Sequence, residues 1–384
     1  MARKDLTTWI WHRAGWPRFT WNSASLAAPL AAARRVQGEF AGMAKLMDPS
    51  LDLHAQLEVL ATEGVATSAI EGEKFDPAIL RSSLARRLGL PTTGLPVPPR
   101  SVEGLVDVLL DATWHYQEPL TLARLSSWQA ALFPSGRSGL HVIRVGTLRG
   151  TDPMQIVSGP IGREKVHYDA PPHNRLTRDM DRFLAWFNAP PADLDGLLRA
   201  GLAHAWFEII HPFEDGNGRV GRALLDRALA QDEQRSVRLY SISARIMAVR
   251  DDYYEALAEL SRNDLDVTNW LMWFLTQFTM AARASELIIQ HVLRKARFWM
   301  RYAPHSLNDR QRKALNAMLD APAGYIGGMT NRKYANLTKS SAPTAQRDLA
   351  ELVELGCLAP AGAGRSARYE LVVRDRRTVR LSPK

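Results

Sequence analysis

Twelve residues in the middle of the chain, His211-Pro212-Phe213-Glu214-Asp215-Gly216-Asn217-Gly218-Arg219-Val220-Gly221-Arg222, concentrate groups that can do chemistry. A helix running into His211 is halted there, because the residue before a proline is pushed out of the α conformation. Asp215-Gly216-Asn217-Gly218 reads as a turn, and Arg219 opens a second helix. Backbone N–H groups at a helix start have no intrahelical partners and carry partial positive charge, so Gly216, Asn217 and Gly218 form a nest suited to an anion. Arg219 and Arg222 fall on adjacent turns, where two guanidinium forks can reach the same phosphates. Asp215 is a hard oxygen ligand for Mg²⁺ bridging a polyphosphate. His211 stands beside this cradle, where a neutral imidazole can take a proton from an incoming hydroxyl. Each part alone is ordinary. Together they make a base, a metal ligand, an anion nest and two phosphate clamps.

These groups need a helical scaffold, and the surrounding sequence supplies one. Helical spacing runs through 26–48 and 51–66, and Asp76-Pro77 provides a cap and first-turn proline for a helix to about Arg87. The proline-rich stretch 90–99 is a loop. Further helices are predicted at about 102–116, 121–133, 173–188, 193–210, 219–231, 243–262 and 266–298. Between them, 139–172 is the one convincing β region of the central part, with short runs at Val142–Val145, Gln155–Val157 and Val166–Tyr168. The first 25 residues hold Trp9, Trp11, Trp16 and Trp21 without a helical period, and predict an extended segment whose tryptophans are buried anchors.

The last part changes character. Asn308, Thr330 and Ser341 or Thr344 can cap three helices, and Cys357-Leu358, a turn at 361–364 and Tyr369–Val373 finish as a hairpin. Three helices and a β-wing look like a winged-helix domain. Arg332, Lys333, Lys339, Arg347, Arg365 and Arg368 would supply phosphate contacts to DNA. Asp348, Glu351 and Glu354 make the predicted recognition helix acidic, so a protein-interaction role stands beside the DNA one.

The chain has 384 residues, enough for two or three domains, with 46% hydrophobic and 23% charged residues, an ordinary globular balance. One cysteine, Cys357, excludes an internal disulfide and fits a reducing compartment. The absence of a signal-like start and of a run long enough to span a bilayer leads us to expect a cytoplasmic protein that makes no membrane contact. A net charge of +9 fits polyanionic partners or plain solubility charge.

His211 to Arg222 resembles the signature of the Fic family, His-x-Phe-x-Asp/Glu-Gly-Asn-Gly-Arg-x-x-Arg, at every fixed position. The resemblance implies a mainly α fold, a Fic helical core with a β-hairpin flap, which transfers AMP from ATP to a hydroxyl of a target protein. It implies His211 as general base, Asp215 as the Mg²⁺ ligand, Gly216, Asn217 and Gly218 as the anion nest, and Arg219 and Arg222 on the β- and γ-phosphates. Phe213 would be buried. Relatives that transfer phosphate instead carry lysine at the position of Gly218, so the glycine favours AMP transfer. Upstream, Thr67-Ser68-Ala69-Ile70-Glu71-Gly72 is similar to the family's inhibitory motif, in which the glutamate pairs with the second arginine. Glu71 would then hold off a productive ATP.

On this resemblance the chain divides into 1–95, a helical region with an inhibitory helix at about 55–72, a Fic core at 96–300, and a winged-helix domain at 301–384. Val166, His167 and Tyr168 would line a flap edge that pairs with a target segment, and Ile161 or Val166 would clamp the target side chain. Tyr253 and Tyr254 resemble an aromatic pair near the adenine, with core packing as the competing reading. His204, Trp270 and Trp273 read as structural. Self-modification and, by analogy, a homodimer are expected. The alternatives are removal of AMP by the same site, or a nucleotide-sensing DNA-binding regulator.

Overall fold

The computed structural model describes residues 8–45, 49–90, 96–158, 165–236, 238–302, 305–321, 325, 327–362 and 367–372. It divides into two compact units, Met1–Ile288 and Ile289–Lys384. Both are mainly helical, and every described sheet is a two-stranded antiparallel hairpin.

The first unit begins with α1 (Ser23–Lys45), α2 (Pro49–Ile70), α3 (Pro77–Arg87), α4 (Arg100–Trp114) and α5 (Leu122–Leu132). Asp76 caps α3 through the Ala78 N–H at 2.8 Å, with Pro77 in the first turn, as the sequence predicts. Two hairpins follow, β1 (Arg137–Ser138) with β2 (His141–Val142), and β3 (Gln155–Ser158) with β4 (Lys165–Asp169). The Val142–Val145 run is mostly not strand. Its backbone is taken by side chains instead, since Arg144 N–H donates to Glu214 (2.8 Å) and Gly146 N–H to Gln129 (2.7 Å).

The remaining helices are α6 (His173–Asn188), α7 (Gly196–Ile210), α8 (Asn217–Glu233), α9 (Ile242–Ala248), α10 (Arg250–Arg262) and α11 (Thr268–Tyr302). The helix predicted over 243–262 is two helices, broken at Val249 (φ −128°, ψ 41°). No glycine or proline announces that break. α7 is apolar nearly all round and buried along its length, which makes it the central rod of the core, with α8 packed against it. None of the described helices is long and apolar enough to cross a membrane.

The tryptophan-rich start is not a strand. Ile10–His12 form a short 3₁₀ turn, and Thr20 alone makes a bridge, to Asp266. Trp9, Trp11 and Trp16 are buried, and Trp16 meets Trp206 of α7 edge-on at 6.2 Å. Burying three indoles fixes this segment to the body without a regular ladder.

The second unit holds α12 (Asp309–Leu319), α13 (Asn331–Thr338), α14 (Ala342–Glu354) and the hairpin β5 (Leu358–Ala361) with β6 (Arg368–Leu371). Asn308, Thr330 and Ser341 cap the three helices through their side chains. Met329 bridges Tyr369, adding one further pair to the hairpin. Leu315, Met318, Tyr334, Leu349, Leu352 and Cys357 form its core. Ile161, Arg365 and part of the turn at 361–364 lie outside the described residues.

Candidate active site

α7 ends at Ile210 and α8 starts at Asn217, and the loop between them is held by its own side chains. His211 takes a left-handed conformation (φ 51°, ψ 60°) that turns the chain out of α7. Asn217 accepts from Phe213 N–H (2.9 Å) and donates to Phe213 C=O (2.7 Å), so its side-chain amide closes the loop. Phe213 is fully buried, 6.3 Å from the ring of Phe207. Gly216 has φ +85°, and a Cβ there would stand 2.7 Å from Phe133, so both backbone and space demand glycine.

His211 lies 3.3 Å through Nδ1 from the carbonyl of Glu208. Nδ1 must donate to that oxygen, which leaves Nε2 with its lone pair available as a base. Burial lowers the imidazole pKa to about 4, with the nearby Arg149 charge acting the same way, so the ring is neutral at pH 7. Arg149 is itself buried and was not foreseen. Its Nε donates to His211 C=O (2.8 Å), its Nη2 to Pro171 C=O, and its N–H to Pro212 C=O (2.9 Å). One side chain thus ties the histidine's peptide to the base of the β3–β4 hairpin.

Asp215 accepts from Gly216 N–H (2.6 Å) and from the Ser138 hydroxyl of the β1–β2 hairpin. No cluster of three or more His, Cys, Asp or Glu side chains among the described residues could hold a metal alone. A single carboxylate beside a hydroxyl suits Mg²⁺, which keeps several waters and takes most other ligands from phosphate.

Both arginines are already engaged. Arg222, 2% exposed, donates to Thr67 Oγ1 (2.7 Å), Thr67 C=O (2.9 Å) and Glu71 Oε1 (2.7 Å). Arg219 lies over the Phe133 ring (4.8 Å) and donates to Glu73 Oε2 (2.9 Å). The end of α2 delivers both carboxylates. Gly72 turns with φ +82°, its N–H reaches Ala69 C=O (3.0 Å), and Glu73 N–H reaches Ser68 C=O (3.0 Å). The reversal sets Glu71 on one side of the glycine and Glu73 on the other. Glu71 also fills the cradle, for a Cβ on Gly218 would meet its Oε1 at 2.3 Å. Glu63 of α2 accepts from the Ser241 hydroxyl (2.6 Å) and Ser243 N–H (3.1 Å), fastening this helix to the start of α9.

Glu208 is a second residue that the spacing did not reveal. Burial raises its pKa to about 8 despite the Arg222 charge, so it is protonated at pH 7. His204 is structural, as expected, donating through Nδ1 to Gly221 C=O (3.0 Å) and accepting at Nε2 from Tyr253 OH (2.9 Å). Tyr253 is buried there, whereas Tyr254 is 42% exposed and donates to Ile70 C=O (3.4 Å) at the end of α2.

The flap differs from expectation in its orientation. Tyr168 does not face an open edge: its side chain is buried, packed edge-on against Trp9 at 5.3 Å, with its hydroxyl on Ile209 C=O. The outward carbonyls of β4 are also taken, His167 C=O by Arg262 (3.3 Å) and Asp169 C=O by the Trp11 indole (2.8 Å). Val166 remains exposed. Ala170 N–H donates to Met154 C=O (2.9 Å), so by antiparallel alternation the backbone of Gln155 points away from β4. The outer edge of β3, with Ile156 44% exposed, pairs with no other strand among the described residues.

With this geometry in hand, residues 119–229 match the Fic/DOC family, and residues 9–90 match a domain of unknown function, DUF4172. The chain is similar to a probable protein adenylyltransferase from Aquifex aeolicus (strain VF5), at 40% identity over 58 residues, 15% of this chain and 18% of that protein. The similarity therefore spans about a fifth of that relative. A Fic family protein from Desulfovibrio desulfuricans G20 shares the fold at a TM-score of 0.55 and 20% identity, over 94% of this chain and 99% of that one. A Fic-1 chain from C. elegans aligns at a TM-score of 0.48 and 18% identity, over 71% and 73%. The chain thus contains a Fic domain at residues 119–229.

Proposed function

We propose that this protein is an ATP-dependent protein adenylyltransferase whose resting state is held off by Glu71. The observation that carries the reading is the 2.7 Å contact between Glu71 and Arg222, in a site that also holds a neutral His211 and the Gly216–Gly218 nest. The name of the Aquifex aeolicus relative supports the same class of reaction.

With Glu71 withdrawn, Arg222 and Arg219 hold the β- and γ-phosphates and the nest amides take further phosphate oxygen. Asp215 and the Ser138 hydroxyl would hold Mg²⁺, which would supply charge neutralisation for the leaving pyrophosphate. A target segment pairs with the free edge of β3 and presents a Ser, Thr or Tyr hydroxyl to His211. His211 Nε2 takes the hydroxyl proton as the oxygen bonds the α-phosphorus. The bond from that phosphorus to the β-phosphate oxygen breaks and pyrophosphate leaves. Glu71 in its resting place occupies the γ-phosphate position, so ATP cannot settle in line for this attack.

The test is transfer of label from α-³²P-ATP with Mg²⁺ onto the protein itself. Glu71→Gly should raise labelling well above wild type, and adding His211→Ala should abolish it. Equal labelling of wild type and Glu71→Gly would sink the inhibitory role. Label in neither, with AMP released from a pre-modified target, would assign the site to removal of AMP instead.

A further inference from the structure

The net positive charge of this chain comes from one unit. Residues 289–384 carry 18 Lys and Arg against 7 Asp and Glu, whereas residues 1–288 carry 31 against 33. The net +9 is therefore a slightly acidic first unit and a second unit of +11. Such segregation fits a polyanion partner of the second unit better than a uniform solubility charge.

Inside the second unit, α13 and α14 are joined by three residues, Lys339-Ser340-Ser341. Lys339 is left-handed (φ 53°), and Ser340 N–H closes back on Ala335 C=O at 3.0 Å. Two helices joined by so short a turn, followed by a hairpin, are the element order of DNA-reading helix-turn-helix variants.

The acidity of α14 argues against DNA only if its carboxylates face outward. Asp348 does not. It is buried, bonded by Arg310 at 2.8 and 3.1 Å, by Tyr334 OH at 2.9 Å and by Asn308 at 3.3 Å. Glu351 is exposed but bonded by Gln311 Nε2 at 2.8 Å, so the acids left on the surface, Glu351 and Glu354, lie in the second half of the helix. The helix exposes Pro343, Gln346 and Arg347 in its first half and Ala350 beyond them, beside exposed Arg332, Asn336 and Lys339. Lys333 is turned to other work, donating to Gly328 C=O (3.0 Å) over the Tyr325 ring. Gln and Arg are the side chains that pair bidentately with adenine and guanine edges in the major groove.

We propose that the second unit is a winged-helix module that binds duplex DNA, with α14 in the major groove. Gln346 and Arg347 meet base edges there, and Arg332 and Lys339 meet phosphates. This inference is independent of AMP transfer.

The experiment uses the full chain and a fluorescein-labelled duplex of about 30 bp and mixed sequence, followed by anisotropy from ~50 to ~200 mM salt. Binding should weaken steeply with salt, with a log–log slope of about −0.9 per phosphate contact. Arg332→Ala with Lys339→Ala should cut the slope by about 2, and Arg347→Glu should weaken binding at every salt concentration by roughly tenfold or more. All three residues are exposed, so unchanged melting of the variants shows that the fold is kept. Absence of binding at ~50 mM salt overturns the proposal. So does binding that survives all three substitutions, which would assign it to the arginine-rich segment 373–384. If DNA is not bound and Arg347→Glu instead dissociates a dimer, the face is a protein interface and the DNA reading is wrong.

Discussion

Glu73 reaches Arg219 at 2.9 Å, two residues beyond the Glu71 that reaches Arg222 at 2.7 Å. Both guanidinium groups that would clamp phosphate are thus neutralised from one turn, on either side of Gly72. The two contacts differ in weight. Glu73 is 41% exposed, so its pair resembles a surface ion pair worth about 0–1 kcal/mol. Glu71 is 29% exposed and faces a guanidinium 2% exposed, where screening is weaker. Glu73→Gln should therefore tighten ATP binding by about two- to fivefold, since 1.4 kcal/mol is a factor of ten. It should not by itself raise AMP transfer, because Glu71 still fills the cradle. Calorimetry with Mg-ATP in a His211→Ala background reads the affinity without turnover. Unchanged affinity would deny Glu73 any share in the latch.

Much of this site was legible before its geometry was known, and the reason is locality. His211, Asp215, Arg219 and Arg222 lie within one helix–loop–helix, where spacing alone determines which side chains meet. Glu71 was legible through its motif. Glu73 was not, because its reach to Arg219 depends on the φ +82° of Gly72, which spacing does not specify. Arg149 stands 62 residues before the histidine whose carbonyl it holds, a contact that only tertiary structure makes. The flap was oriented wrongly because strand alternation says which residues share a face, not which face the tryptophan segment covers. In the same way, the sequence makes Asp348 look like surface charge, whereas Arg310 and Tyr334 hold it inside.

The depressed pKa of His211 has a direct kinetic consequence. An unperturbed histidine base loses activity as pH falls through about 6.5. Burial brings this one to about 4, so it is neutral and competent well below that. In the Glu71→Gly variant, the rate of AMP transfer should stay flat from pH 7.5 down to about 5.5. A loss with an apparent pKa near 6.5 would mean either that the base is another group or that the bound substrate restores the ordinary value.

Glu208 makes the opposite contribution, to stability. Its pKa rises from 4.5 to about 8 on folding because the carboxyl is buried. The folded state then keeps a proton that the unfolded chain releases. This stability is full below pH 4.5 and is lost as pH rises through 8. Glu208→Gln, which cannot ionise, should gain on wild type between pH 5 and 8.5 by at least about 1 kcal/mol, a few degrees in melting temperature. Parallel melting curves for the two proteins across that range would show that Glu208 ionises normally.

Trp11 links the opening segment to the flap. Its indole N–H donates to Asp169 C=O at 2.8 Å, its carbonyl accepts from Arg175 at 3.2 Å, and the Arg175 guanidinium lies 5.1 Å over its ring. These contacts hold β4 by its outer edge and leave β3 as the edge open to a partner strand. Trp11→Ala removes both the hydrogen bond and a buried ring, at a cost of about 3–5 kcal/mol, which endangers the whole fold. Trp11→Phe is the sharper variant, because it keeps most of the burial and loses the indole donor. With Asp169 C=O released, β4 can shift and the register offered by β3 loosens. In the Glu71→Gly background this variant should raise the KM for a protein target several-fold while the KM for ATP stays within about twofold, since the nest and arginines are untouched. An equal rise in both constants would place the effect of Trp11 on the whole core rather than on the flap.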